Sequence, residues 1–231
     1  MSEKNVAIVL AGGRGKRMNM DIPKQYLELN GRPLICYTLD CFEKSFVDEI
    51  VVVTGKDEIL YFKENIVDKY GYTKVRNIVE GGAERYHSVL NGLRAVSDAD
   101  YIYIHDGARP CVSQDILKRG RECVKEHGAC VAAVLVKDTI KVVSDTGEIV
   151  STPDRNQLRQ IQTPQVFCFD NIKAAYEKMI RDDNRTNITD DAMVMENYGE
   201  LSVYVFDGEY DNIKVTTPED INTVKNILKN S

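Results

Sequence analysis

The chain has 231 residues, 43% hydrophobic and 29% charged, a balance that supports one large folded domain and argues against disorder. Its formal charge of −6 excludes a general nucleic-acid binder, so any polyanion site must be a local basic cluster on an acidic body. No apolar run approaches the roughly 20 residues of a membrane span, and the first ten residues lack the pattern of a secretion signal, so neither a membrane partner nor a leader is expected.

The run Val6-Ala7-Ile8-Val9-Leu10 has no polar alternation, which predicts a strand over 6–10 covered on both faces. Directly after it stands Ala11-Gly12-Gly13-Arg14-Gly15-Lys16-Arg17-Met18, and then Pro23-Lys24-Gln25-Tyr26. Glycines let backbone N–H groups close on phosphate oxygens, and Arg14, Lys16, Arg17 and Lys24 add charged donors. The loop is not a P-loop, because Gly15-Lys16 is followed by Arg and lacks the earlier glycine. Nor is it a dinucleotide fingerprint, since Met18 stands where the third glycine belongs. The plain alternative is a solvated basic turn. So many cations on an acidic protein favour a phosphate grip.

Helical periodicity follows over 33–44, a strand over 50–54, a helix over 57–70 and a strand over 75–79. Gly81-Gly82-Ala83-Glu84-Arg85-Tyr86-His87-Ser88 then opens a helix over 83–96. Amides at such a junction can read a base edge or bind an anion, and a plain tight turn is an equal reading. The strand over 101–105 ends in His105-Asp106-Gly107-Ala108-Arg109-Pro110. An aspartate at the carboxyl end of a strand, facing a phosphate loop, is placed to hold Mg²⁺ directly or through water. The alternative is an Asp-Gly turn with Arg109 as partner. His105 by itself reads as a core histidine.

A helix over 113–127 and a strand over 130–136 continue the alternation. Residues 137–167 break it. There 140–143 and 148–150 flank Ser144-Asp145-Thr146-Gly147, which reads as a hairpin. A two-stranded hairpin is marginal alone in water, so this arm must pack on the body or on a second subunit. Asp154-Arg155-Asn156 and Gln162-Thr163-Pro164-Gln165 lie in or beside it, with no role that periodicity assigns. A helix over 171–181, a cap at Thr189-Asp190-Asp191 and a strand over 201–206 come next. Asp211-Asn212-Ile213-Lys214-Val215-Thr216 puts a lysine near the presumed strand ends, before a helix over 218–228 opened by Thr217-Pro218-Glu219-Asp220. The alternation predicts an α/β fold with a doubly wound, mostly parallel, Rossmann-like sheet and a projecting hairpin. The six cysteines form no C-x-x-C pair and no zinc spacing, which reads as reduced cytoplasmic thiols. No nucleophile elbow or zinc-protease motif occurs, so positioned cations with Mg²⁺ are the chemistry on offer.

These strings closely resemble the 2-C-methyl-D-erythritol 4-phosphate cytidylyltransferases over nearly the whole chain. They are Leu-Ala-Gly-Gly-Arg-Gly-Lys-Arg-Met, Pro-Lys-Gln-Tyr, His-Asp-Gly-Ala-Arg-Pro, Asp-Thr-Ile-Lys, Asp-Arg-Asn, Gln-Thr-Pro-Gln, Ile-Thr-Asp-Asp-Ala and Asp-Asn-Ile-Lys-Val-Thr, in that order. The resemblance implies transfer of CMP from CTP to methylerythritol phosphate in non-mevalonate isoprenoid synthesis. It implies that Arg17 and Lys24 stabilise the pentacoordinate α-phosphate, and that Arg155 and Lys214 position the acceptor. Ala11, Gly12, Gly13, Arg14 and Gly15 match the triphosphate loop, and Gly82, Arg85 and Ser88 the segment at cytosine and ribose. Asp106, Arg109, Thr139, Thr163 and Thr189 match positions lining the sugar-phosphate site.

The resemblance further implies one domain over 1–231 whose arm, at about 137–165, interlocks with that of a second copy, so that Arg155 serves the neighbour's site. Departures are Ala83 for an acid, Gly107 for an alanine and Asp191 for a usual glutamate; none removes a charged catalytic position. Ribitol-5-phosphate cytidylyltransferases share the phosphate loop and the Asn-Ile-Lys-Val-Thr string, but Asp154-Arg155-Asn156 with Ile188-Thr189-Asp190-Asp191-Ala192 is closer to the methylerythritol family. A non-catalytic nucleotide-binding regulator is a third reading, against which the intact Arg17, Lys24 and Lys214 speak.

Overall fold

The computed structural model describes residues 3–13, 23–183 and 187–230. The first apolar run forms β1 (Asn5–Ala11). Short strands β2 (Glu28–Leu29) and β3 (Arg32–Pro33) pair with each other and lead into helix α1 (Leu34–Glu43). β4 (Glu49–Thr54), helix α2 (Ile59–Phe62) and β5 (Val75–Glu80) follow. The helix expected over 57–70 begins as α2, continues as a π-helical segment, Lys63–Asp68, and returns to α-helical geometry at 69–70. Then come α3 (Arg85–Ala95), β6 (Tyr101–Asp106), α4 (Gln114–His127) and β7 (Ala129–Leu135). Strands β8 (Val142–Val143) and β9 (Ile149–Ser151) make the expected hairpin, closed by Gly147 at φ 83°. The chain ends with β10 (Arg159–Cys168), α5 (Phe169–Arg181), α6 (Asp191–Tyr198), β11 (Tyr204–Asp207) and α7 (Pro218–Asn230).

The main sheet has the order β11-β7-β10-β6-β1-β4-β5. Its strands are parallel except β10, which runs antiparallel to both β6 and β7. The mostly parallel α/β expectation therefore holds. β10 itself is a correction. Its sequence, Arg-Gln-Ile-Gln-Thr-Pro-Gln-Val-Phe-Cys, lacks an apolar run and contains a proline, which normally argues against a central strand. The ladder accommodates it by shifting register between Ile161 and Gln165, around the cis Thr163–Pro164 bond. Because β10 belongs to the main sheet, the part of the arm outside it is 136–158.

Strict apolar runs arise because helices cover both faces. Ala7, Val9 and Ala11 of β1 face a core with α1 and α4, while Val6 and Ile8 face one with α3, α5 and α6. A third cluster, Leu27, Leu29, Leu34, Val215 and Val224, seats α7 beneath the segment that carries Lys24. The N-cap of α6 is Asp190, not Thr189: its carboxylate accepts from Met193 N, and Gln165 Oε1 accepts the N–H groups of Asp191 and Ala192. At α7, Asp220 reaches back to the N–H of Thr217 at 2.8 Å, in a capping-box arrangement. No helix among the described residues is long and apolar enough to cross a membrane.

Candidate active site

Parallel strands β1, β4, β5 and β6 end together, at Ala11, Thr54, Glu80 and Asp106. Ligands of open α/β sheets bind at such carboxyl ends. A cavity of about 730 Å³ opens there, and it brings together segments that are remote in sequence. Ala11, Gly12, Gly13 and Lys24 line it, as do Gly82, Arg85, Ser88, Asp106 and Lys214, all singled out from sequence. Arg14, Gly15 and Arg17 lie outside the described residues. Gly12 is required by close approach: a Cβ there would stand 2.7 Å from the Thr54 carbonyl oxygen.

Two lysines meet through one short segment. Lys24, in the 3₁₀ turn Lys24–Tyr26, donates from Nζ to the Val215 carbonyl at 3.2 Å. The next residue back, Lys214, reaches Asp106 Oδ2 at 2.7 Å, and Val215 N–H ties the segment to the Ala108 carbonyl at 2.8 Å. The Lys24 turn is itself anchored from behind, since Tyr26 Oη donates to Glu58 Oε2 at 2.8 Å.

Asp106 is the electrostatic centre. Arg85 Nε stands 3.6 Å from Oδ1, and Arg109 Nε 3.9 Å from Oδ2. Burial alone would raise the Asp106 carboxyl, but Arg85, Lys214 and Arg109 outweigh it and hold it well below the usual carboxylate range. Among the described residues no three His, Cys, Asp or Glu side chains converge as a metal cage. Asp106 is the strand-end carboxylate on which a divalent cation carried by phosphate oxygens could add one protein ligand, in competition with the Lys214 ammonium 2.7 Å away.

Several expected site residues carry structural duties: Thr163 and Arg109 do so outside the cavity lining, Ser88 and Arg85 while still lining it. The Thr163 hydroxyl accepts the Asp106 N–H at 3.1 Å and donates to His105 Nδ1 at 3.1 Å, and its residue is buried. Arg109 donates to the Asn212 carbonyl at 2.8 Å. Ser88 Oγ accepts from Gly82 N–H at 3.0 Å and donates to Glu84 O, so it closes the loop that opens α3. Arg85 gives both terminal nitrogens to Asp191, at 2.8 and 2.7 Å. Thr139, Thr189 and Arg155 are exposed and do not line the cavity; Arg155 Nη1 donates to the Lys137 carbonyl at 3.1 Å, within the arm.

Sequence reading missed Gly55, Lys56 and Glu80, which line the cavity because β4 and β5 end there. The strand-end rule, applied to those two strands as it was to β1 and β6, would have found them.

His105 is the core histidine anticipated. Its Nε2 lies 3.3 Å from the Arg109 carbonyl, which assigns the proton to Nε2 and leaves Nδ1 to accept from Thr163. Burial, with Arg109 and Lys214 nearby, pushes its pKa down to about 4 from 6.5 despite the pull of Asp106. Between these values the unfolded chain binds the proton and the folded one does not, so stability falls as pH falls from 6.5 to 4. The loss should reach roughly 3 kcal/mol. Thermal unfolding across that range should show a Tm decline that is shallower in His105→Gln; equal slopes would refute the assignment.

The sequence model of one family, described as 2-C-methyl-D-erythritol 4-phosphate cytidylyltransferase, matches residues 5–230. A protein of that name from Lachnospira eligens is 50% identical over 226 residues, covering 97% of this chain and 99% of its own. One from Lachnoclostridium phytofermentans is 47% identical, covering 98% and 97%. Among solved structures, 4-diphosphocytidyl-2C-methyl-D-erythritol synthase from Anaerococcus prevotii superposes with a TM-score of 0.86 at 33% identity, over 98% of this chain and 96% of that one.

Proposed function

This chain belongs to the 2-C-methyl-D-erythritol 4-phosphate cytidylyltransferase family, and on that premise we propose how its cavity performs the reaction. The enzyme is a CTP-dependent nucleotidyltransferase of isoprenoid precursor synthesis. A phosphate oxygen of methylerythritol phosphate attacks the α-phosphorus of CTP, the bond from that phosphorus to the β-phosphate bridge breaks, and pyrophosphate leaves with the electron pair.

The acceptor phosphate has a second pKa near ~6 and is mostly a dianion at neutral pH, so its attack needs no general base. Its difficulty is repulsion between two polyanions. The observation that carries the reading is the convergence of Lys24 and Lys214 on either side of residues 214–215 at the strand ends. In this reading the backbone of Ala11–Gly15 cradles the triphosphate. Arg17 and Lys24 stabilise the charge gathering on the α-phosphate, and Lys214 with Arg155 aligns the acceptor. Gly82 and the amides at the start of α3, which has no side-chain cap, face the nucleoside. Thr139 and Thr189 border the acceptor site once a second subunit closes it.

Enzymes of this family generally depend on a divalent cation. Mg²⁺ held by CTP oxygens and Asp106 would supply further neutralisation of the triphosphate charge.

The chain works as one unit, in the cytoplasm, and as a homodimer. The arm supports the last point: Val142, Val143, Ile149 and Val150 are 45–66% exposed, a cluster of apolar side chains that water disfavours. Arg155 sits on the same arm, away from its own chain's cavity.

The deciding experiment is pyrophosphate release from CTP with methylerythritol phosphate and, separately, ribitol 5-phosphate. Turnover with the first acceptor is expected. Efficient use of ribitol phosphate alone would overturn the substrate, and no release with either would leave only nucleotide binding.

A further inference from the structure

Behind the cavity wall lies a buried charge that the reaction does not itself require. Asp191, the first residue of α6, is wholly buried, and its carboxylate receives both terminal nitrogens of Arg85 and the hydroxyl of Tyr176. Its position is set firmly, because its own N–H is bonded to Gln165 Oε1 at 3.0 Å. Arg85 spans the gap from this carboxylate to Asp106, which it meets only through Nε at 3.6 Å, beyond hydrogen-bond length for a charged pair. Asp106 in turn gives Oδ2 to Lys214 at 2.7 Å.

The order of these distances matters. A guanidinium prefers to grip a carboxylate with two parallel N–H groups, and Arg85 has two carboxylates within reach. It grips Asp191, and that leaves Asp106 to the more weakly matched ammonium of Lys214. Arg85 is the cation the two carboxylates share, while Arg109 and Lys214 meet Asp106 alone, so removing the Asp191 charge frees Arg85 to compete with Lys214 for Asp106.

We propose that Asp191 is a positioning residue for the acceptor side of the site: by holding Arg85 in a two-pronged pair, supported by Tyr176, it keeps Asp106 free to aim Lys214. The inference rests on the role given above to Lys214, and it makes Arg85 a strut between two carboxylates instead of a contact to the nucleotide.

Without the Asp191 charge, Arg85 closes on Asp106 and displaces Lys214. Asp191→Asn, assayed as the full-length enzyme, should therefore raise the KM for methylerythritol phosphate and lower kcat, together about 10- to 100-fold in kcat/KM, and leave the KM for CTP within about twofold. Asp191→Glu restores the charge and should recover most of that loss.

Tyr176→Phe leaves every charge in place and should shift the acceptor KM in the same direction by a few-fold. It keeps the test alive if Asp191→Asn does not fold. An acceptor KM unchanged in Tyr176→Phe and in folded Asp191→Asn overturns the proposal. So does a loss that falls on the KM for CTP, which would return Arg85 to the nucleotide, or an Asp191→Glu enzyme no better than Asp191→Asn. Wild-type enzyme inactive with methylerythritol phosphate would instead sink the substrate reading, which separates the two failures.

Discussion

Lys24→Ala should lower kcat for pyrophosphate release by about 10²- to 10³-fold, the usual cost of removing one charged donor aimed at a developing oxyanion. The fold should survive. Lys24 occupies a three-residue turn whose hold on the protein is made by its neighbours: Tyr26 hydrogen-bonds Glu58, and Leu27 packs with Leu29, Leu34, Val215 and Val224. Its own bond to the Val215 carbonyl is at the cavity wall, where water can replace it. Turnover of the variant, with Tm and circular dichroism as controls, decides the matter. Near-normal turnover would remove Lys24 from the catalytic set.

Arg155→Ala should be comparably damaging, about 10²-fold or more in kcat/KM, although its side chain is exposed and outside the set that lines its own chain's cavity. The reason is the second anion. Of the described cations lining the cavity, Lys214 is the one whose side chain, with its ammonium paired to Asp106 at 2.7 Å, is still 37% exposed, and one ammonium is a poor clamp for a dianion. A partner's arm would bring the missing guanidinium.

Mixing the two variants gives a sharp test. In a heterodimer of Lys24→Ala and Arg155→Ala chains, one site collects both lesions and the other collects neither. Random exchange should then recover about a quarter of wild-type activity, since about half the dimers are mixed and each has one intact site. No recovery on mixing, or full activity of a monomer by light scattering, would refute sharing through the arm.

Local pattern reached a long way into this protein. The unbroken apolar runs at 6–10 and 50–53 specified strands buried on both faces, because only a sheet with helices on each side hides every residue of such a run. Gly12 and Asp106 could be named because a glycine and an acid at strand ends have few structural uses, and Lys24 because it closes the basic run after β1. The roles of Lys24 and Lys214 came through the family motifs. The helix caps were equally legible, to within the one residue that separates Thr189 from Asp190.

What local pattern could not reach is whatever depends on which segments become neighbours. β10 is polar and contains Pro164, so nothing in its composition places it reversed between β6 and β7. Asp191 read as a helix-start acid, yet packing of α6 and α5 beside α3 buries it against Arg85, 106 residues away. Thr163 reads as a ligand contact by its motif, and the same strand insertion turns its hydroxyl onto Asp106 N–H and His105. Periodicity reports the face that a residue shows to its own element; the partner on the other side is chosen by tertiary packing, where burial makes each pairing of charges strong and each unpaired charge costly. The sequence by itself determined the layers and the cations of this enzyme. Only the folded arrangement decided which carboxylate each cation answers to.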